Sequence, residues 1–301
     1  MTRYLALPRR LAGRPFRAST SGLSRSRLRA SDLAAPHRDV RVSAALADDL
    51  LMRCVALSTV LPEGAYFSHR TAALLWGLPI ADSDVDDLHV TVPTPVRAPR
   101  IRGVTGHQSR SIERMRMPPG VWVTTPGRTI CDVAPGLDRV QLVTVIDHLL
   151  RTRTVADLTS AIAAHPHPQA ARLRSALAEA RPGVDSPRET ALRLAIVDAG
   201  FPEPVVNGYI QSGEGFIVAK ADLSYPGYRV ALEYEGDHHR TDRRQWFRDI
   251  ARYRELESLG WVALRVTAAD LIPSPRVILE QLALHLRRRG CPLPRLRLPP
   301  A

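Results

Sequence analysis

The chain has 301 residues and a formal net charge of +12, enough length for about two domains with separate cores and a positive balance that favours a polyanionic partner, nucleic acid first. No apolar run approaches the roughly 18 residues of a membrane span. Cys54, Cys131 and Cys291 are odd in number and widely separated, which supports neither a disulfide framework nor a Cys-based zinc site and fits a reducing cytoplasm. Lys220 is the only lysine, so the charge is carried by arginine; a GC-rich coding bias explains that more simply than a demand for bidentate phosphate contacts.

The first 31 residues contain arginine and serine but no acid. A transit peptide has that composition, but "SGLSRSRLRASDL" reads better as a short basic helix in a folded or DNA-facing segment. With the strand that follows, residues 19–42 suit the second half of a winged helix-turn-helix, and a solvated basic tail is the competing reading. Helical spacing through Leu46, Leu50, Leu51, Val55 and Leu57 predicts a core helix closed by Pro62. "FSHRTAALLWGLP" predicts a second, with Ser68 as N-cap, Gly77 as C-cap and His69 and Arg70 in its first turn. "DLHVTVP" and "RIRGVTGHQS" alternate as a strand pair, and Thr125 with Pro126 opens a helix in "TTPGRTICDVA". Helices follow from about 139 to 181, and "RPGVDSP" marks a domain boundary near 182.

Beyond it the order is helix (187–199), strands (205–211, 215–223, 228–235), helix (241–259), strand (261–266) and helix (275–288). Gly200 and Gly260 stop their helices, and "PGY" turns the second strand into the third. That hairpin carries the chemistry. In "VALEYEGDHH" Val230, Leu232 and Tyr234 point one way and Ala231, Glu233 and Glu235 the other, so two carboxylates share a face where repulsion would cost stability unless a positive charge is expected. In "VAKADLS" Val218, Lys220 and Asp222 share a face, with Ala219, Ala221 and Leu223 opposite. Pairing through the turn would bring Asp222, Glu233 and Glu235 together, an oxygen-rich set suited to Mg²⁺ or Mn²⁺.

The stretch from Ala221 to Leu271 resembles the very-short-patch-repair-like branch of the PD-(D/E)XK nucleases, with similarity over roughly the last 115 residues: an Asp ending one strand, Glu-x-acid-Gly in the next, histidines downstream, an Arg/Asp-rich helix, then Gly-Trp and a strand. The resemblance implies that Asp222, Glu233 and Glu235 hold a metal, that Glu189 adds an acid from the first helix, and that His238 or His239, the latter preferred, moves protons. The family's lysine two residues after the second acid is replaced by Glu235, and Lys220 on the Asp222 face is the substitute. "FSHRTAALLWGLP" and "TTPGRTICDVA" resemble, more loosely, the antitoxin side of type IV (AbiEi-family) toxin-antitoxin systems.

Each residue has a plainer reading. Ser186-Pro187-Arg188-Glu189 is a capping box, so Glu189 can simply bond back to Ser186. Trp246, Ile250 and Tyr253 form an apolar stripe, and Arg243, Arg244, Arg248 and Arg252 serve either phosphate or nearby acids. Together these readings predict a mixed α/β (α+β) chain: a partial winged-helix segment (1–43), an antitoxin-like α/β domain (44–182) and a restriction-endonuclease-like αβββαβα domain (183–301). The expected activity is Mg²⁺-dependent DNA hydrolysis in the cytoplasm. The alternative is a degenerate DNA-binding regulator of antitoxin kind, with a toxin or its own promoter as partner.

Overall fold

The structure, a computed structural model, describes residues 6–80, 87–165, 168–235 and 243–300, with the backbone alone over 243–249. It is a mixed α and β fold, as the sequence predicts. Its contacts gather into two compact units, Met1–Leu137 with Asp157–Leu173, and Asp138–Ala156 with Arg174–Ala301.

The first unit begins with β1 (Phe16–Arg17), β2 (Leu33–Ala34) and β3 (Val40–Ser43), an antiparallel sheet in the order β1-β3-β2. Val40 and Val42 are buried while Arg41 turns back to donate to the Leu28 carbonyl. The basic helix expected ahead of the β3 strand is only a 3-10 turn between β1 and β2, Arg27–Arg29, ended by the extended backbone of Ala30. Ser24 explains the difference. Its hydroxyl accepts from Arg27 N–H, a local bond that competes with helix propagation, and the Arg27 side chain closes onto Asp32 at 2.8 Å.

The chain continues through α1 (Leu50–Ser58), β4 (Tyr66–Phe67), α2 (His69–Leu75), β5 (Leu88–Pro93), β6 (Val104–Ser109), β7 (Arg114–Met117), β8 (Val121–Thr124) and α3 (Pro126–Val133). Helix α1 starts later than its periodicity predicts, because the Asp49 carboxylate caps Met52 N–H and leaves Leu46 in a preceding 3-10 turn. Thr125 caps α3 with Pro126 next to it, as expected. The five strands order as β6-β5-β4-β8-β7, and the predicted strand pair β5/β6 runs parallel from Leu88↔Val104 to Pro93↔Ser109. Cys54, Leu57, Phe67, Ala72, Leu88, Val90 and Val123 form the core beneath it.

Three helices follow, α4 (Arg139–Leu149), α5 (Val155–Ala164) and α6 (Ala170–Glu179). The contacts do not divide the chain at the 181–187 break, because α4 belongs to the second unit. Buried Asp147 of α4 accepts from Arg181 N–H (2.7 Å), Thr190 Oγ1 (2.8 Å) and Arg193 Nη2 (3.3 Å), and a carboxylate so enclosed holds its partners firmly.

The second unit then runs α7 (Pro187–Asp198), β9 (Val205–Gln211), β10 (Ile217–Tyr225), β11 (Val230–Tyr234), α8 (Arg243–Ser258), β12 (Val262–Val266) and α9 (Arg276–Arg288), in the predicted order. The sheet orders as β12-β11-β10-β9, with β11 and β12 parallel and the other pairs antiparallel. Pro226–Tyr228 makes a 3-10 turn between β10 and β11, completed by Arg229 at φ 51. Leu192 and Ile196 of α7 and Ile278 and Leu282 of α9 pack with Leu223, Val230, Leu232 and Val266. Leu256 of α8 packs with Ile210, Ala219, Ala221 and Ala231 in a separate cluster. Each fully buried side chain of this kind contributes about 1.5–3 kcal/mol of transfer free energy.

Candidate functional site

The two clusters correct the simple alternation expected of β10. Ala219 and Ala221 pack with α8, but Leu223 packs with α7 and α9, so the inward face changes across Asp222. Asp222 lies between the paired positions Ala221↔Gly208 and Leu223↔Val206, opposite Asn207, which holds a left-handed φ of 50. In place of a regular ladder, the Asp222 carboxylate accepts from Tyr234 N–H of β11 at 2.7 Å. The irregularity sets a carboxylate between α7 and β11. Burial, then the nearby carboxylates of Glu189 and Glu233, push its pKa up to about 6 against the pull of the Tyr234 N–H and Arg252.

Glu233 is 6% exposed. Its Oε2 accepts from Arg252 Nη2 at 2.6 Å and from the Tyr253 hydroxyl at 2.8 Å, while its buried Oε1 has no hydrogen-bond partner among the described residues. Arg252 therefore serves an acid across the layers of the fold, rather than an i,i+4 neighbour on α8. Burial and the adjacent Glu233 push the Tyr253 hydroxyl pKa up, so it stays a donor. Glu235 pairs with Arg265 of β12 and is reached by the same Tyr253 hydroxyl at 3.5 Å. The positive charge that the paired glutamates call for is thus supplied in part by two guanidiniums.

Glu189 departs from the capping box. Ser186 accepts from its N–H at 3.2 Å, but its carboxylate accepts from Asp185 N–H (3.0 Å) and Asn207 Nδ2 (3.1 Å) and does not bond back to Ser186. Lys220 is exposed and ion-paired to Asp185, which raises its pKa. His238 and His239 lie outside the described residues.

The predicted set is therefore brought together unevenly. Glu189, Asp222 and Glu233 sit near enough to shift one titration, while Glu235 is turned to Arg265 and Lys220 to Asp185. These carboxylates do not offer three oxygens within 4.8 Å of one another; among the described residues only His69, His89 and His107 make such a group. Mg²⁺ asks for less, since one or two carboxylates with waters and a substrate oxygen complete its shell. Glu233 Oε1, without a partner among the described residues, and the buried Asp222 carboxyl fit that donor set. Sequence reading missed Asn207, whose left-handed backbone leaves no periodic signal, and the Tyr253 hydroxyl, hidden within an apolar stripe.

No family profile matches the chain. Two proteins of Mycobacterium tuberculosis are similar to it: uncharacterized protein Rv2248 of strain ATCC 25618 / H37Rv and uncharacterized protein MT2308 of strain CDC 1551 / Oshkosh. Each is 29% identical over 252 residues, covering 82% of this chain and 90% of the relative. Among the described residues, no helix is long and apolar enough to cross a membrane.

Proposed function

We propose that the second unit is a Mg²⁺- or Mn²⁺-dependent DNA endonuclease of the PD-(D/E)XK type, related to the very-short-patch-repair branch. The observation that carries this reading is the buried Glu233 Oε1, which has no hydrogen-bond partner among the described residues, near an Asp222 carboxyl whose pKa is raised by burial and then by two neighbouring acids. Asp222 and Glu233 would hold the ion, and Glu189 would add negative potential from α7. A divalent ion there would polarise the phosphoryl oxygen and lower the pKa of a bound water. The residues themselves hold the Asp222 carboxylate through Tyr234 N–H and Glu233 through Arg252 and Tyr253. The +12 net charge supports a phosphate-rich substrate, and three free, buried cysteines support a reducing cytoplasm. Purified protein incubated with supercoiled plasmid and Mg²⁺ or Mn²⁺ should cut it, and Asp222→Ala and Glu233→Ala should not. Equal cutting by the variants removes the assignment.

A second reading has its own observation: Arg252 and Arg265 already neutralise Glu233 and Glu235. On that reading the chain is an antitoxin-type DNA-binding regulator with a nuclease fold that has lost its chemistry, acting at its own promoter or on a toxin. Salt-sensitive binding to promoter DNA, with no cleavage in either metal, favours it over the first.

A further inference from the structure

We propose that His69, His89 and His107 of the first unit form a binding site for a borderline divalent cation of the Zn²⁺ class. This inference does not depend on the nuclease reading, which concerns the other unit and a different ion.

Three elements deliver the imidazoles. In the parallel ladder His89 lies opposite Thr105 and Thr91 opposite His107, so the two histidines are offset by two residues and extend from the same side of neighbouring strands. His69 occupies the first position of α2 with a left-handed φ of 48, a conformation that costs a non-glycine residue energy and turns its ring toward the strands. Its ring lies 3.8 Å from that of His107 and 5.7 Å from that of His89, centroid to centroid. His89 Nδ1 stands 3.0 Å from His107 Nε2. Two nitrogens bound tetrahedrally to one Zn²⁺ stand roughly 3.3 Å apart, given bonds of about 2.0–2.1 Å.

The rings stack with planes 12–28° apart, so closing on one ion takes rotation about their side-chain torsions, and the surroundings supply groups that orient them. Ser68, expected as the α2 N-cap, makes no capping bond; its hydroxyl lies 3.0 Å from His69 Nδ1 and accepts from Thr91 Oγ1 at 2.6 Å. With Nδ1–H donating to that hydroxyl, Nε2 keeps its lone pair for a metal. Asp132 of α3 lies close to His107 and accepts from the His69 backbone N–H, while Arg128 pairs with it at 2.7 Å. A neutral imidazole keeps one ring nitrogen with a lone pair to offer a metal. Imidazole donors select Zn²⁺, Cu²⁺ or Ni²⁺ over Mg²⁺ or Ca²⁺, and three of them leave one position for water.

The test uses the full chain, untagged, stripped with chelator and dialysed. Co²⁺, the spectroscopic stand-in for Zn²⁺, should bind one equivalent and give intense visible absorption, which Zn²⁺ then displaces. His89→Gln and His107→Gln should each weaken Co²⁺ binding by about 100-fold or more, and Ser68→Ala, which removes only the orienting hydroxyl, by about 10–100-fold. His148→Gln, in the other unit, should change nothing. Should a variant fail to fold, the parent still decides: its imidazole ¹⁵N resonances should shift for three histidines on Zn²⁺ addition. A parent that takes up no Co²⁺ or Zn²⁺, or a folded His89→Gln/His107→Gln double variant with parental affinity, overturns the assignment.

Discussion

Arg193 on α7 meets Asp147 on α4 inside the second unit, Nη2 to Oδ2 at 3.3 Å, with side chains only 1% and 2% exposed. Arg193 also reaches Glu203 at 3.1 Å, so one buried guanidinium is shared by two acids. Removing one member of such a set leaves an uncompensated buried charge. Asp147→Ala should therefore lower the unfolding free energy by about 3–5 kcal/mol in chemical denaturation. A loss below about 1 kcal/mol would mean that α4 is not held by this pair.

Asp222 should carry an electrostatic cost. Its folded pKa of about 6 lies above its ordinary value of 3.8, so the folded chain binds more protons than the unfolded chain between those values. Its contribution to stability is therefore fully present below about pH 3.8 and is lost as pH rises through about 6. Asp222→Asn keeps an oxygen for Tyr234 N–H and removes the charge. It should stabilise the chain by about 1–2 kcal/mol at pH 7.5, allowing for solvent screening, with the gain shrinking toward pH 4, while abolishing plasmid cutting. Urea titrations at the two pH values give the comparison; a variant less stable than the parent at pH 7.5 contradicts it.

Arg252 and a divalent ion should compensate the same carboxylate. In EDTA, Arg252→Ala strips the ion pair from buried Glu233 and should cost about 1–3 kcal/mol, reduced from the fully buried case because Arg252 is 33% exposed. At saturating Mg²⁺ the cost should shrink, since the ion replaces the lost charge. Thermal unfolding of parent and variant with and without Mg²⁺ measures this, and an unchanged cost argues for a purely structural pair.

Gly127 in α3 faces Ala161 of α5 so closely that a Cβ on residue 127 would overlap the Ala161 methyl. Gly127→Ala should destabilise the first unit by about 1–3 kcal/mol despite the better helix propensity of alanine. Gly136→Ala, with nothing within 4 Å of the added atom, serves as the neutral control in the same melts.

Sequence alone determined the second unit's order of elements, because each carried a local mark: Ser186 and Pro187 at the start of α7, the Pro226–Tyr228 turn, and Gly200 and Gly260 at φ 91 and 74 after their helices. It also marked Asp222 and Glu233, since charge in an apolar strand stands out without any knowledge of packing. It misjudged the basic segment around Arg27, where serine hydroxyls decide between helix and turn, and it placed Ala219, Ala221 and Leu223 on one face. Only tertiary structure decided which charges meet. Arg252 and Tyr253 reach Glu233 from another layer, Arg265 takes Glu235 and Asp147 draws α4 into the second unit, while three histidines spread over 39 positions converge in the first. Periodicity records how a segment faces its own core, and long-range pairing of polar groups leaves no period to read.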